Sequence, residues 1–169
     1  MNRTSAAALV AIVLWTFAIV APRTLAGGSP ARHDGDGVAL DDPSLSSMLT
    51  GLGYEPKPLS KGFLIAVKKD DWTYYVQFVL SEDKSRLGMN ANLGSIPDPD
   101  SVTAAQWRGL LSENAEVDPS SFNYSHEQQK LYLHRVLDNR GLTPVYVRQQ
   151  IENFTANIHD SKDFWSFVK

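Results

Sequence analysis

From Trp72 to Leu80 the side chains alternate without a break: Trp72, Tyr74, Val76, Phe78 and Leu80 fall on one side of an extended chain, and Thr73, Tyr75, Gln77 and Val79 on the other. A helix repeats its apolar face every three to four positions, so this period fixes a β-strand. The same pattern precedes it, with Phe63, Ile65 and Val67 alternating with Leu64, Ala66 and Lys68, and Asp70-Asp71 supplies a turn between the two runs. After the polar stretch 81–85, Leu87, Met89, Ala91 and Leu93 alternate with Arg86, Gly88, Asn90 and Asn92. Three consecutive strands joined by short polar connections predict an antiparallel meander.

Helical periods flank the meander. Leu45, Met48, Leu49 and Leu52 recur at helical spacing behind Asp42-Pro43, read as a cap followed by proline at the first position, with Gly53 as the stop. The residues 54–61 read as a loop. Beyond Pro97 and Pro99, Thr103-Ala104-Ala105-Gln106 is a capping box, with Trp107, Leu110 and Leu111 as the expected buried stripe, Val102 placed to staple against Trp107, and Asn114 at the end. Phe122 with Tyr124 and Leu131 with Leu133 predict a hairpin turning at 126–129. Thr143 caps a last helix with Pro144 at its first position and Val147, Ile151, Phe154 and Ile158 as its core face; the polar run 160–163 predicts a kink or a separate final turn. The expected fold is α+β, an antiparallel sheet with flanking helices in the order α-β-β-β-α-β-β-α.

That order, together with Trp107, Leu110-Leu111, Asn114, Phe122, Leu131, Leu133, the run Leu137-Asp138-Asn139-Arg140-Gly141-Leu142-Thr143-Pro144 and Trp165, resembles the YbjN family, described as a proposed bacterial sensory transduction regulator. The resemblance spans roughly Ser44 to Trp165. It implies a fold similar to that of type III secretion chaperones of the Tir-chaperone kind, small acidic proteins that use a sheet with flanking helices to dimerise and hold unfolded effector segments. Most of the matching residues are core or cap positions, and Asn139-Arg140 is the polar pair among them.

The N-terminus carries a different signal. Arg3 precedes an apolar run from Ala6 to Ala21, Pro22 breaks it, and Thr24-Leu25-Ala26 approximates the small-x-small pattern read by signal peptidase. Residues 1–26 therefore read as a signal peptide cleaved between Ala26 and Gly27, and the alternative is an uncleaved membrane anchor. The expected location is exported, periplasmic or extracellular. Residues 27–42, rich in glycine and aspartate, read as a flexible linker to a domain over 43–169. Asp34-Gly35-Asp36-Gly37 hints at a calcium loop, but Val38 stands where a further oxygen ligand belongs and no glutamate closes it.

Composition narrows the chemistry. Without cysteine there are no disulfides, thiolate nucleophiles or cysteine-held metals, and a net charge of −3 without a basic run gives nucleic acid no electrostatic footprint. The four histidines form no H-E-x-x-H and no pair at helical spacing, and no nucleophile elbow, Walker loop or dinucleotide fingerprint is present. No enzyme activity, cofactor or metal is expected. Asp98-Pro99-Asp100-Ser101 reads as turn and cap residues. Asn139 and Arg140 either grip a carboxylate or phosphate or form a turn with a local ion pair.

The first two strands carry apolar side chains on both faces, with Leu64, Ala66, Tyr75 and Val79 opposite the main stripe. One helix layer needs only one apolar face. Either helices cover both faces, or the second face receives a partner: a protein or peptide segment, or a second copy of the chain. The expectation is a non-catalytic protein-binding or chaperone-like module, with a membrane involved only through an uncleaved signal segment. A small-ligand sensor would instead need a closed apolar cavity, and an enzyme of envelope substrates a polar pocket.

Overall fold

The computed structural model describes residues 37–169; the expected signal segment, its cleavage point at Ala26 and Gly27, and most of the linker lie outside the described residues. Helix α1 spans Asp42–Gly51 and is followed by strands β1 Lys57–Pro58, β2 Phe63–Lys69, β3 Trp72–Leu80 and β4 Arg86–Ser95. A short 3-10 turn, Pro99–Ser101, leads into α2 Ala104–Glu113, then β5 Ser121–Ser125, β6 Lys130–Asp138, α3 Pro144–Asp160 and α4 Lys162–Trp165. The strands form one antiparallel sheet in the order β1-β2-β3-β4-β6-β5. Among the described residues no helix is long and apolar enough to cross a membrane.

Local chemistry sets these boundaries. The capping box of α2 is complete: Gln106 N–H donates to the Thr103 hydroxyl at 3.3 Å and Thr103 N–H to the Gln106 amide oxygen at 2.9 Å. Thr143 caps α3 through the Tyr146 N–H at 3.2 Å. In α1 the cap is Asp41 rather than Asp42, because the Asp41 carboxylate accepts the Ser44 N–H at 2.9 Å and Asp42 already belongs to the helix. The stretch read as linker is therefore engaged at its C-terminal end, where Ala39 bridges Arg140 and Leu40 packs on the core. Within the expected loop 54–61, Lys57 and Pro58 pair with Leu64 and Phe63 as a two-residue strand. Gly62, at φ +74°, leads into β2; a β-carbon there would lie 1.8 Å from the Phe78 carbonyl oxygen.

The helices among the described residues pack on one face of the sheet. Ile65 and Val67 of β2, Val76 and Phe78 of β3, Leu87 and Met89 of β4 and Leu133 of β6 meet Leu45 and Leu49 of α1 and Val147, Ile151, Phe154 and Ile158 of α3. The four α3 residues are fully buried, each contributing about 1.5–3 kcal/mol of transfer free energy. A second cluster joins Ile96, Leu110 and Leu131 to Val102, Trp107, Tyr124 and Phe167. Leu111, expected in that stripe, is 69% exposed: it lies one position past Leu110, about 100° around the helix and away from the sheet. Trp72 shares the inward side of β3 but is 50% exposed, at the sheet end where helical cover gives out.

A candidate protein-binding face

Among the described residues no helix covers the opposite face of the sheet. Strand pleating sends Leu64, Ala66 and Lys68 of β2, Tyr75, Gln77 and Val79 of β3, Gly88, Asn90 and Asn92 of β4, and Tyr132, His134 and Val136 of β6 to this side. The registers join them in rows: Leu64 opposes Gln77, Gln77 opposes Asn90, Asn90 opposes His134, and His134 opposes Ser121. A neighbouring row runs Val79, Gly88, Val136, and Ala66 stands against Tyr75. Tyr75 is 59% exposed and Val136 42%. The charged residues of this face stand at its margins, Lys57 and Lys68 along the β1–β2 edge, Arg86 and Asp138 at one end and Lys130 at the other. Its middle holds only apolar, amide, hydroxyl and imidazole groups.

Two hollows shape the face. One, of about 290 Å³, lies along the β2 side and is lined by Tyr54, Lys57, Leu64, Ala66, Lys68 and Tyr75 among others. It opens because β1 pairs with β2 only at Lys57 and Pro58, after which the backbone stretch Ile65–Lys69 has no strand partner on that edge among the described residues. Burial raises the Tyr54 phenol above its ordinary pKa, so it enters the groove as a neutral ring with a hydroxyl. The other hollow, also about 290 Å³, is lined by Val79, Gly88, Val136 and His134. Here His134 Nδ1 meets the Asn90 amide oxygen at 2.5 Å, and burial lowers the imidazole pKa, keeping it neutral near pH 7.

Of the residues singled out from sequence, Leu64, Ala66 and Tyr75 converge on the first groove and Val79 lies in the second. Asn139 is not at a surface. It is fully buried, its amide nitrogen donating to the carbonyls of Leu40 and Lys84 at 2.8 Å each, while its N–H donates to Ser85 at 2.9 Å. Asn139-Arg140 sits in a tight connection, with Arg140 N–H donating to the Asp138 carboxylate at 3.0 Å, and among the described residues Arg140 makes no ion pair. The guanidinium of Arg140 stays exposed beside Arg86 and Asp138.

Sequence reading missed a buried cation. Arg135 alternates with Leu133 and Leu137 on the core side of β6, donating to the Ser120 hydroxyl and the Gln150 amide oxygen at 2.9 Å each, with Phe154 5.9 Å from its guanidinium. Its inward parity was the available clue. A line Asp70–His159–Tyr74 also forms, with His159 Nδ1 2.8 Å from the Tyr74 hydroxyl and Nε2 3.8 Å from Asp70. It has the outline of a positioned base, but burial, then Asp160 and Asp70, raise the Tyr74 pKa, the reverse of what an activated nucleophile needs. The line ties the β2–β3 turn to the end of α3. Among the described residues no three metal-binding side chains converge.

A one-sided, helix-backed antiparallel sheet with an open opposite face defines the class: an α+β fold of the secretion-chaperone kind. YbjN from E. coli, a candidate transcription regulator, superposes with a TM-score of 0.55 at 15% identity, covering 73% of this chain and 90% of that one. The HopA1–SchA chaperone–effector complex gives 0.50 at 12% identity, over 70% and 90%. At such identities the likeness is one of fold, and it agrees with the fold expected from the resemblance. No family model matches the sequence, and no relative among curated proteins does.

Proposed function

We propose that this chain is an exported, non-catalytic protein-binding module that receives an apolar segment of a partner protein on the open face of its sheet, in the manner of a chaperone. The observation that carries this reading is the face itself: a sheet surface that no described element covers, free of charge in its middle and hollowed beside a strand edge with no partner among the described residues. Contiguous exposed apolar surface marks interaction sites, and an unpaired edge gives an incoming strand backbone hydrogen bonds while alternate side chains fill pockets. The fold shared with a chaperone crystallised with its effector supports the same reading.

The test is peptide binding and light scattering on the purified chain and on Tyr75→Lys and Val79→Lys. Both positions leave the core untouched, so the variants should keep the parent's melting temperature and lose binding. A second copy of the chain as occupant would appear as a parent dimer that the same variants dissociate. A monomeric parent that binds no apolar peptide would overturn the proposal.

A further inference from the structure

Resting on the protein-binding reading, we propose that the segment seated beside β2 is an apolar strand flanked by carboxylates. The charge of this edge carries the inference. The chain is acidic overall, yet Lys57, Lys61, Lys68 and Lys69, a quarter of its sixteen basic residues, crowd the short stretch between positions 57 and 69. Lys57 and Lys68 line the groove itself, one on β1 and one on β2, against the single carboxylate of Glu55. Among the described residues no lysine is paired with a carboxylate, the one such contact being the His159 imidazole 3.8 Å from Asp70, so neither groove lysine has a described carboxylate oxygen within reach. Asp70 and Asp71 lie at the hairpin tip beyond β2, and the first of them is engaged by His159.

The geometry assigns the positions. A strand continuing the ladder beyond β1 would run along Ile65–Lys69, about 4.8 Å from β2. Every second side chain would then lie on the face of Ala66 and Tyr75, where only apolar groups are matched. Its two ends would come against Lys57 and Lys68, the points where carboxylates find ammonium groups without a described partner. Exposed pairs of this kind are each worth up to about a fivefold change in affinity, and salt screens them.

Short synthetic peptides with one Val/Leu core and Asp, Asn or Lys flanks test this by fluorescence anisotropy on the purified full chain, the Lys57→Gln/Lys68→Gln double variant and Tyr75→Lys. Thermal melts confirm folding of each variant; the lysines are exposed, so the double variant should melt as the parent does. The Asp-flanked peptide should bind about tenfold more tightly than the Asn-flanked one, and the Lys-flanked peptide most weakly. That preference should vanish in the double variant and at about 0.5 M salt. Equal binding of all three peptides, or an Asp preference that survives the double variant, would overturn the charge assignment and leave the protein-binding reading standing. Failure of every peptide to bind, or binding unchanged in Tyr75→Lys, would remove the open face as the site and this inference with it.

Discussion

The side-chain amide of Asn139 reaches the backbone carbonyl of Leu40 at 2.8 Å, tying the chain just before α1 to the end of β6. The same nitrogen holds the Lys84 carbonyl in the β3–β4 turn, so one buried residue fastens three segments. Close approach of Gly37 to Gly141 completes the seam, since a β-carbon on Gly37 would lie 2.3 Å from the Gly141 α-carbon.

Asn139→Leu should therefore destabilise strongly. It strands two carbonyls at a cost of about 1–3 kcal/mol each. Urea unfolding should show the midpoint fall with an unchanged slope, and a variant as stable as the parent would mean that water satisfies both carbonyls.

Trp107→Ala should cost about 3 kcal/mol, the lower end for deleting a packed aromatic, because the indole is only half-buried. Its ring meets the edges of Tyr124 at 5.8 Å and Phe167 at 6.3 Å, so its loss should also loosen the C-terminal strap that pairs Lys169 with Ser95. Hydrogen exchange at Ser95 and Lys169 checks the second part.

His134 makes stability depend on pH. Its folded pKa lies below the unfolded value of about 6.5, so as pH falls past that value the unfolded chain takes up a proton that the folded one refuses. Stability at this position is full above the unfolded pKa and declines as pH drops toward the folded one. His134→Gln should flatten that decline in urea titrations between about pH 7.5 and 5.5. Asp83 acts in a separate window: hydrogen bonds from Ser81 and Ser85 bring its pKa down to about 2, so its contribution is lost only as pH falls below about 4.

The proposed export predicts a mature chain beginning at Gly27. Intact mass of the protein recovered from the envelope or medium should correspond to loss of residues 1–26. A product that keeps them and sediments with membranes would replace cleavage by anchoring.

The strands were legible because alternation reports which side chains share a face, and β2, β3 and β4 fall where Phe63, Trp72 and Leu87 began their patterns. Alternation does not report what covers a face. Whether Leu64, Ala66, Tyr75 and Val79 lay beneath helices or in the open depended on the side of the sheet taken by α1, α2 and α3, which is a tertiary choice. Leu111 shows the same limit in a helix, where adjacent leucines give no sign of which one meets the sheet. The pairing of Lys57-Pro58 was invisible because two residues carry no period. Asn139, in the run Asp138-Asn139-Arg140-Gly141, looked like an ordinary turn residue, and only the return of Leu40 from a distant part of the chain makes it a clamp.

A sheet braced on one side and bare on the other separates the demands of folding from those of recognition. Replacing Ala66, Tyr75 or Val136 opens no cavity, since the atoms that hold the molecule together lie beneath the strands. Substitutions on such a surface leave the scaffold's packing intact, so its chemistry and its stability can be altered independently.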